Sequence, residues 1–592
     1  MKTGGEWFVR CLNSLGVEFV FGTTGAGMPD IQDAMVVNKP PKWIQGLHEF
    51  VTLNAAAGYA LATEGHGIAL IDRLVGTQNA IGGFYCAFMN SAPVVVFASE
   101  NVPGVSMTTG ELEYHYLSDL VTMPGKWVKW STRLEGLETL PMIVSKALLT
   151  ARSPHEGPVY VNLRQDLMAS TLKKAELPSP DLCLPARRIP DEETLLKILV
   201  LLEESEFPLL IAGQSGRHPD SVPELMEFAH RVGVGVYDRR VFLNYPMSDK
   251  MHLGFAPPLA LPELDKACDT MVLLEFGLLP DLRFGEKVKV VELYSDPRRL
   301  QDVNGGGDYG SSLLPAYIRA ECDATDTLTR LVQLAERRSR TGDKSYLAER
   351  RAIIESKHEK TFNDWKVAAR KSYDSERLDA YSVGFVLNSN WTSDTVWVNG
   401  TISPRPALIR TVMLDTPGSY FSNPSGHLGA VTGMSYGVAL SRKRYSPVRH
   451  ANGAVGGRIT GENHPVVCTT GDGDAIFGNL DSALWTVSHY GIGVLYIIMN
   501  NACWGIEWPP IARSSQHWAS KTGDFEFLDL DRPRIDFSKL AQAFGVRSWR
   551  VSRLVDFEKA CAEGLKIVRS GRPALIDLEL EKYTGPEPSS VL

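Results

Sequence analysis

The stretch from Pro465 to Gly505, PVVCTTGDGDAIFGNLDSALWTVSHYGIGVLYIIMNNACWG, constrains this chain more than any other. An apolar run at Val466 and Val467 leads to a sharp turn at Gly471-Asp472-Gly473, after which Leu480, Ala483, Leu484 and Val487 keep the spacing of one helix face. A second β-branched run, from Gly493 to Met499, stops at Asn500-Asn501. Strand, glycine-rich turn, helix, strand and turn make a βαβ unit. Asp472 and Asn501 then lie at the carboxyl ends of parallel strands, where open α/β sheets bind ligands. An Asp carboxylate, an Asn side-chain carbonyl and a nearby main-chain carbonyl are hard oxygen ligands suited to Mg²⁺, with phosphate oxygens and water completing the octahedron. Gly471 and Gly473 let backbone N–H groups approach a diphosphate, and the following helix offers its N-terminal dipole to the same anion. The spacing predicts a metal diphosphate site, although the same residues also describe a plain Asp-Gly turn and an Asn-Asn loop.

The rest of the chain narrows the class. A length of 592 residues allows three or four domains. With 44% hydrophobic and 22% charged residues the composition is globular, not disordered. A net charge of −8 argues against a nucleic-acid partner, and no apolar run approaches the roughly 20 residues that span a bilayer. The amino terminus, MKTGGEWFVRCLNSLGV, has the pattern of an amphipathic helix with no uninterrupted apolar region, so no signal peptide is expected and the expected location is cytoplasmic. The cysteines, 11, 86, 183, 268, 322, 468, 503 and 561, show no C-x-x-C or zinc-finger spacing and read as free thiols in a reducing compartment.

From Glu18 the chain alternates: strand EFVFG, turn TTGAG, helix MPDIQDAMVV, strand WIQGL, His48-Glu49-Phe50 at a strand end, and a small-residue helix around Ala55. Strand GIALI, a loop from Asp72 to Asn79, helix AIGGFYCAFMN and strand PVVVFA follow. This predicts an α/β domain with a parallel sheet. On its own, Glu49 reads as an ordinary acidic residue at a helix N-terminus.

The order of motifs gives it a second meaning. G-x-x-G near residue 22, H-E followed by A-A-x-G-Y-A, G-T-x-N-A before an apolar helix, and then G-D-G with N-N beyond it, resembles the thiamine diphosphate enzymes of the acetolactate synthase and benzoylformate decarboxylase superfamily over most of the chain. The resemblance implies three doubly wound parallel-sheet domains: pyrimidine-binding at 1–175, central at 190–335 and diphosphate-binding at 365–592. It implies that Glu49 binds N1′ of the aminopyrimidine and promotes the imino tautomer that deprotonates the thiazolium C2. A buried carboxylate, its charged form disfavoured, is suited to sharing a proton with a ring nitrogen. His48 is either a structural strand-end histidine or a cofactor contact.

The loop IDRLVGTQNA resembles the decarboxylase version, with Gly76-Thr77-x-Asn79 where acetolactate synthases carry Gly-Pro-Gly, and Thr77 falls to the cofactor. Asp72 or Arg73 stands where the decarboxylases have a catalytic His, so their mechanism does not transfer intact. The two residues either handle polar groups of the substrate or form a surface ion pair. Ala26 stands where those enzymes use a polar residue. Glu113 and His115 are candidate proton donors or solvated loop residues.

Residues 174–192 and 336–346 read as linkers around the central segment. Some family members bind FAD there, but this segment shows no phosphate-cradling glycine loop and FAD is not expected. In the last domain, Gly400, Thr401, Ile402 and Ser403 follow strand TVWVN and are placed to grip the terminal phosphate. Ser425-Gly426-His427-Leu428-Gly429 resembles the family's G-x-L-G stretch, so Gly426 offers its carbonyl to the 4′-amino group and Leu428 holds the two rings in a V, an orientation effect. His427 faces either cofactor or solvent. Asp472 and Asn501 through side chains and Cys503 through its main-chain oxygen are the metal ligands. Ala475, Trp504, Gly505 and Ile506 line the cofactor. Asp474, where the family often has Ser, either lies on the diphosphate, turns away or bonds on the pyrimidine side. Glu507 either reaches the substrate or is an exposed helix carboxylate. Residues 584–592 should be a loose end.

These assignments imply an enzyme that cleaves or forms a C–C bond next to a carbonyl, with a 2-oxo acid or hydroxyketone substrate. A lyase of acyloins or diketones and a non-catalytic paralogous subunit are the rivals. Glu49 and Asp472 fall on different domains, and in the family one cofactor spans two chains, so a homodimer or homotetramer is expected.

Overall fold

The computed structural model describes residues 1–101, 119–256, 267–276, 287–296, 316–339, 345–449 and 455–582; Glu113, His115 and residues 584–592 lie outside them. Three six-stranded sheets organise the chain, with parallel pairing throughout. Their inner strands are continuous apolar runs because helices cover both faces: in Val94–Glu100 and in Val494–Asn500 every residue is buried.

The amino-terminal sheet has the spatial order Lys42–Gln45, Phe19–Gly22, Gly67–Ile71, Val94–Glu100, Val159–Arg164, Trp130–Arg133. The carboxy-terminal sheet runs Tyr420–Ser422, Val396–Asn399, Val466–Gly471, Val494–Asn500, Ala574–Glu579, Arg547–Val551. Numbered along the chain, both are 2-1-3-4-6-5, and they share one apolar core that includes Phe21, Val51, Val398 and Met434. The central sheet is 3-2-1-4-5-6, the order of doubly wound nucleotide folds, with a core of its own. Its first strand, Pro208–Ala212, is followed by Gly213 and Gly216, where a Cβ would stand 2.1 Å from the backbone oxygens of Glu275 and Leu243. Both glycines serve backbone contact. The edge strands His252–Phe255 and Ile318–Glu321 are short and, in the second case, only half-buried.

Helices Glu49–Thr63 and Ala430–Leu440 precede the third strand of their respective sheets and lie against each other. A Cβ on Gly433 would reach within 2.2 Å of the Val51 oxygen, and one on Gly437 within 1.9 Å of the Ala55 oxygen. Only glycine allows two backbones so close. Index rises together along both helices, so their N-termini come together, and the Phe50 ring stacks on His427 at 4.7 Å.

Two expectations change. Asp72–Asn79 is not a loop: helix Arg73–Met89 begins there, because Arg73, Gly76, Thr77, Ala80, Gly83 and Phe84 form one buried face. His48 and Glu49 do not end a strand: Glu49 is the first residue of its helix, and the His48 ring caps it by accepting the Phe50 N–H at 3.2 Å. The links into the third strands also differ. Residues 64–66 suffice in the amino-terminal unit, whereas 441–465 carry an antiparallel ribbon, Lys443–Arg449 paired with Val455–Gly461. Among the described residues no helix is long and apolar enough to cross a membrane, and no disulfide joins the cysteines.

Candidate active site

Asp472 opens the short helix Asp472–Phe477 directly after strand Val466–Gly471. It is 4% exposed, and its Oδ2 is buried with no hydrogen-bond partner. Burial pushes its carboxyl up to about 6, against the backbone N–H groups of Gly473 and Ala502. A buried carboxylate oxygen with nothing on it is costly until a cation or proton arrives. Asn501 follows strand Val494–Asn500, and its Oδ1 accepts the Cys503 N–H at 3.3 Å across a turn in which Ala502 has φ 55°. The Trp504 N–H to Leu528 and the Leu530 N–H to Ala502 pin this turn at 2.9 and 2.8 Å. The Trp504 indole covers Gly473 so closely that a Cβ there would stand 2.4 Å from it. Among the described residues no three His, Cys, Asp or Glu side chains converge on a metal site, so a cation here has to use amide and main-chain oxygens beside Asp472.

The turn after Val396–Asn399 meets the Asn501 turn at Gly505, where a Cβ would lie 3.0 Å from Asn501 Nδ2 and 3.1 Å from Ser403 Oγ. Asn399 is its hub. The Asn399 Oδ1 accepts the Thr401 N–H, the Thr401 hydroxyl and the Thr469 hydroxyl at 3.0, 2.7 and 2.9 Å, while its Nδ2 donates to Tyr420 at 3.1 Å. Thr401 therefore turns its hydroxyl proton inward, and Ile402 is exposed beside it. Asp474 turns away from this mouth: Oδ1 accepts the Gly429 N–H at 2.7 Å and Oδ2 the Thr470 hydroxyl. It ties the G-H-L-G loop to the strand end. Burial lifts its carboxyl to about 6, opposed by those two donors. Ala475 is buried next to it.

Gly426 is exposed with φ 74°, and nothing would meet a Cβ there. Leu428 is half-buried, and His427 is packed on protein: its ring lies between Phe50 and Phe477, its Nδ1 bonds the Leu428 carbonyl at 2.8 Å, and its Nε2 faces Gly82. Tyr85 donates to the Ser425 carbonyl at 2.9 Å, seating the loop on helix Arg73–Met89. Half-buried Glu49 stands at the same junction, its Oε1 accepting the Thr23 hydroxyl at 2.9 Å and its Oε2 the Asn79 amide at 3.0 Å.

Residues 2–107 match the model of the thiamine pyrophosphate enzyme N-terminal TPP binding domain, and residues 408–578 that of the C-terminal TPP binding domain. The chain belongs to the thiamine pyrophosphate enzymes. It is 23% identical to the acetolactate synthase large subunit of Lactococcus lactis, covering 98% of this chain and 93% of that one. It is also 23% identical to the benzoylformate decarboxylase of Pseudomonas aeruginosa, over 98% and 99%. In fold it is similar to the 4-hydroxybenzoylformate decarboxylase of Rhodococcus jostii (TM-score 0.76, 21% identity, 98% and 100% covered) and the benzoylformate decarboxylase of Polynucleobacter necessarius (TM-score 0.77, 20% identity, 99% and 100% covered).

Within this thiamine pyrophosphate enzyme the remaining candidates are arranged differently from expectation. Asp72 and Arg73 are not a surface ion pair. Asp72 Oδ1 accepts the Gly27 N–H at 3.1 Å and the Ser99 hydroxyl; Arg73, 5% exposed with φ 50°, donates Nη2 to Gln165 at 3.2 Å, its Nε 3.8 Å from Asp72. Thr77 is fully buried, its hydroxyl bonded to the Arg73 carbonyl and to Tyr160, both at 2.8 Å, so it is a core residue. The spacing that suggested a cofactor loop is instead the inner face of a helix. Glu507 is exposed as the residue before helix Trp508–Ala512, and Ile506 is half-buried. Sequence reasoning missed the two donors on Glu49. Thr23 sits in the turn TTGAG and Asn79 in G-T-x-N-A, motifs whose outlines were visible but whose meeting at one carboxylate depends on the sheet bringing their ends together.

Proposed function

We propose that this chain uses thiamine diphosphate and Mg²⁺ to cleave or form a C–C bond next to a carbonyl, with a 2-oxo acid as donor. The observation that carries the reading is the bare, buried Oδ2 of Asp472 at a strand end beside the Asn501 turn, a place shaped for a cation. Asp472 and Asn501 hold the ion through side chains and Cys503 through its main-chain oxygen. The Gly400 and Thr401 N–H groups are already bonded to Thr469 and Asn399, so Ile402, Ser403 and the start of helix Asp472–Phe477 would face the diphosphate, with Trp504, Gly505 and Ile506 closing that end. Gly426 would offer a carbonyl to the amino group, Leu428 would pack against the rings, and Glu49 would hold the proton at the pyrimidine nitrogen. When bound, thiamine diphosphate would supply a carbon nucleophile for the carbonyl and an electron sink for the breaking bond.

The names of the relatives, acetolactate synthase and benzoylformate decarboxylase, support a 2-oxo acid. Ala26 and the Asp72-Arg73 pair, which replace polar and histidine positions of the decarboxylases, favour carboligation or a different acyl group over plain aromatic decarboxylation. Leu47, Val75 and Phe477 are large apolar residues left exposed, which a second copy of the chain would cover in a working oligomer. Calorimetry with thiamine diphosphate and Mg²⁺, followed by product analysis with pyruvate, benzoylformate and hydroxyketones, tests the proposal. Absence of binding would return the chain to a non-catalytic subunit, and turnover of hydroxyketones alone would make it an acyloin lyase.

A further inference from the structure

The carboxylate of Glu49 is gripped on both oxygens before any ring arrives. Thr23, 5% exposed, stands at the end of strand Phe19–Gly22 with its N–H bonded to the Leu70 carbonyl, and from that fixed base its hydroxyl reaches Oε1. Asn79 reaches Oε2 from the exposed side of helix Arg73–Met89; because a carboxylate only accepts, it is the amide nitrogen that faces it. The same helix passes beneath at Gly76, where a Cβ would stand 3.3 Å from Oε1, so the carboxylate lies against the helix surface. Strand end, helix and the His48-capped first turn fix its direction from three sides.

Two donors on one carboxylate do more than aim it. Hydrogen bonds to the charged form favour that form over the neutral acid, and bonds with an ionised member are the stronger kind. We propose that Thr23 and Asn79 are positioning residues that orient the Glu49 carboxylate and strengthen its contact with the pyrimidine nitrogen. This rests on the assignment of Glu49 to N1′ made above. With one lone pair on each oxygen taken by its two donors, the carboxylate still has lone pairs left for the ring nitrogen contact. Asn79 closes the open side, so it contributes most where solvent would otherwise compete.

The test uses the full-length protein with Mg²⁺ and compares, by calorimetry, the affinity for thiamine diphosphate with that for an analogue in which N1′ is replaced by C–H. The parent should prefer the natural coenzyme. Thr23→Val and Asn79→Ala should each shrink that preference about tenfold, the scale of one hydrogen bond to a charged group, while leaving affinity for the analogue unchanged. Asn79→Gln, which keeps an amide donor, should recover part of it. An unchanged preference in both variants overturns the inference, and so does an equal loss for the two ligands, which marks a merely structural role. Glu49→Gln separates the layers: if it leaves the preference intact, the assignment of Glu49 itself fails; if it abolishes the preference while the Thr23 and Asn79 variants do not, only the present inference falls.

Discussion

The amino-terminal and carboxy-terminal sheets share a strand order, and each carries an aspartate just beyond its third strand: Asp72 after Gly67–Ile71 and Asp472 after Val466–Gly471. Their surroundings are opposite. Asp72 Oδ1 takes both the Gly27 N–H and the Ser99 hydroxyl, and holds its own glycine turn shut. Asp472 keeps Oδ2 bare inside the protein. The repeated topology thus offers the same place twice, and the neighbouring donors decide whether the carboxylate there is a fastener or a ligand. The helices ahead of these strands differ in the same way, one beginning with Glu49 and the other preceded by Gly429, which Asp474 holds.

The contrast is sharpest at the proposed metal site. Asp472→Ala should weaken Mg²⁺-dependent binding of thiamine diphosphate on the order of a thousandfold, since outer partners of metal ligands are already worth about 10–100-fold; calorimetry reads it, and retention of binding would erase the distinction between the two aspartates. Next in size is the joint that brings the two units together. Gly437→Ala drives a methyl into the Ala55 oxygen and should cost about 3 kcal/mol of stability in denaturant melts, at the upper end of ordinary overpacking. Asp72→Ala comes third: loss of the Gly27 and Ser99 bonds should cost about 2 kcal/mol while leaving Mg²⁺ affinity at its parental value, the mirror image of Asp472→Ala.

The smallest effect concerns the links into the third strands. His464 in the longer link is 4% exposed, and burial pushes its imidazole down to about 4 from an ordinary 6.5. The folded state refuses a proton that the unfolded chain accepts, so the His464 contribution to stability is complete above pH 6.5 and is lost as pH falls towards 4. His464→Gln should flatten the acid limb of the stability profile by about 1 kcal/mol at pH 5.5 and leave it unchanged near pH 8.

What could be read in advance follows from how local each signal is. Strand, turn and helix from Val466 to Asn500 are contiguous, so the βαβ unit and the placing of Asp472 and Asn501 at strand ends came from pattern alone. Helix Arg73–Met89 was misread at its start because Asp72, Gly76 and Asn79 are residues that also make loops, and only burial of the face with Thr77 and Ala80 decides for a helix. The orientation of Asp474 was left open because Gly429, whose N–H donates to it, is far away in the chain. The grip of Thr23 and Asn79 on Glu49 was invisible for the same reason.

The antiparallel ribbon at 443–461 has a mechanical consequence. Its Tyr445 enters the shared core, Lys42 lies over that ring at 5.9 Å, and Arg444 meets Glu18 at 3.0 Å, all at the amino ends of the strands and so at the end away from the Glu49 mouth. The two sheets are therefore bolted at both extremities, by glycine-lined helices above and by the ribbon below. Their separation is thereby locked at one setting, like the jaws of a caliper.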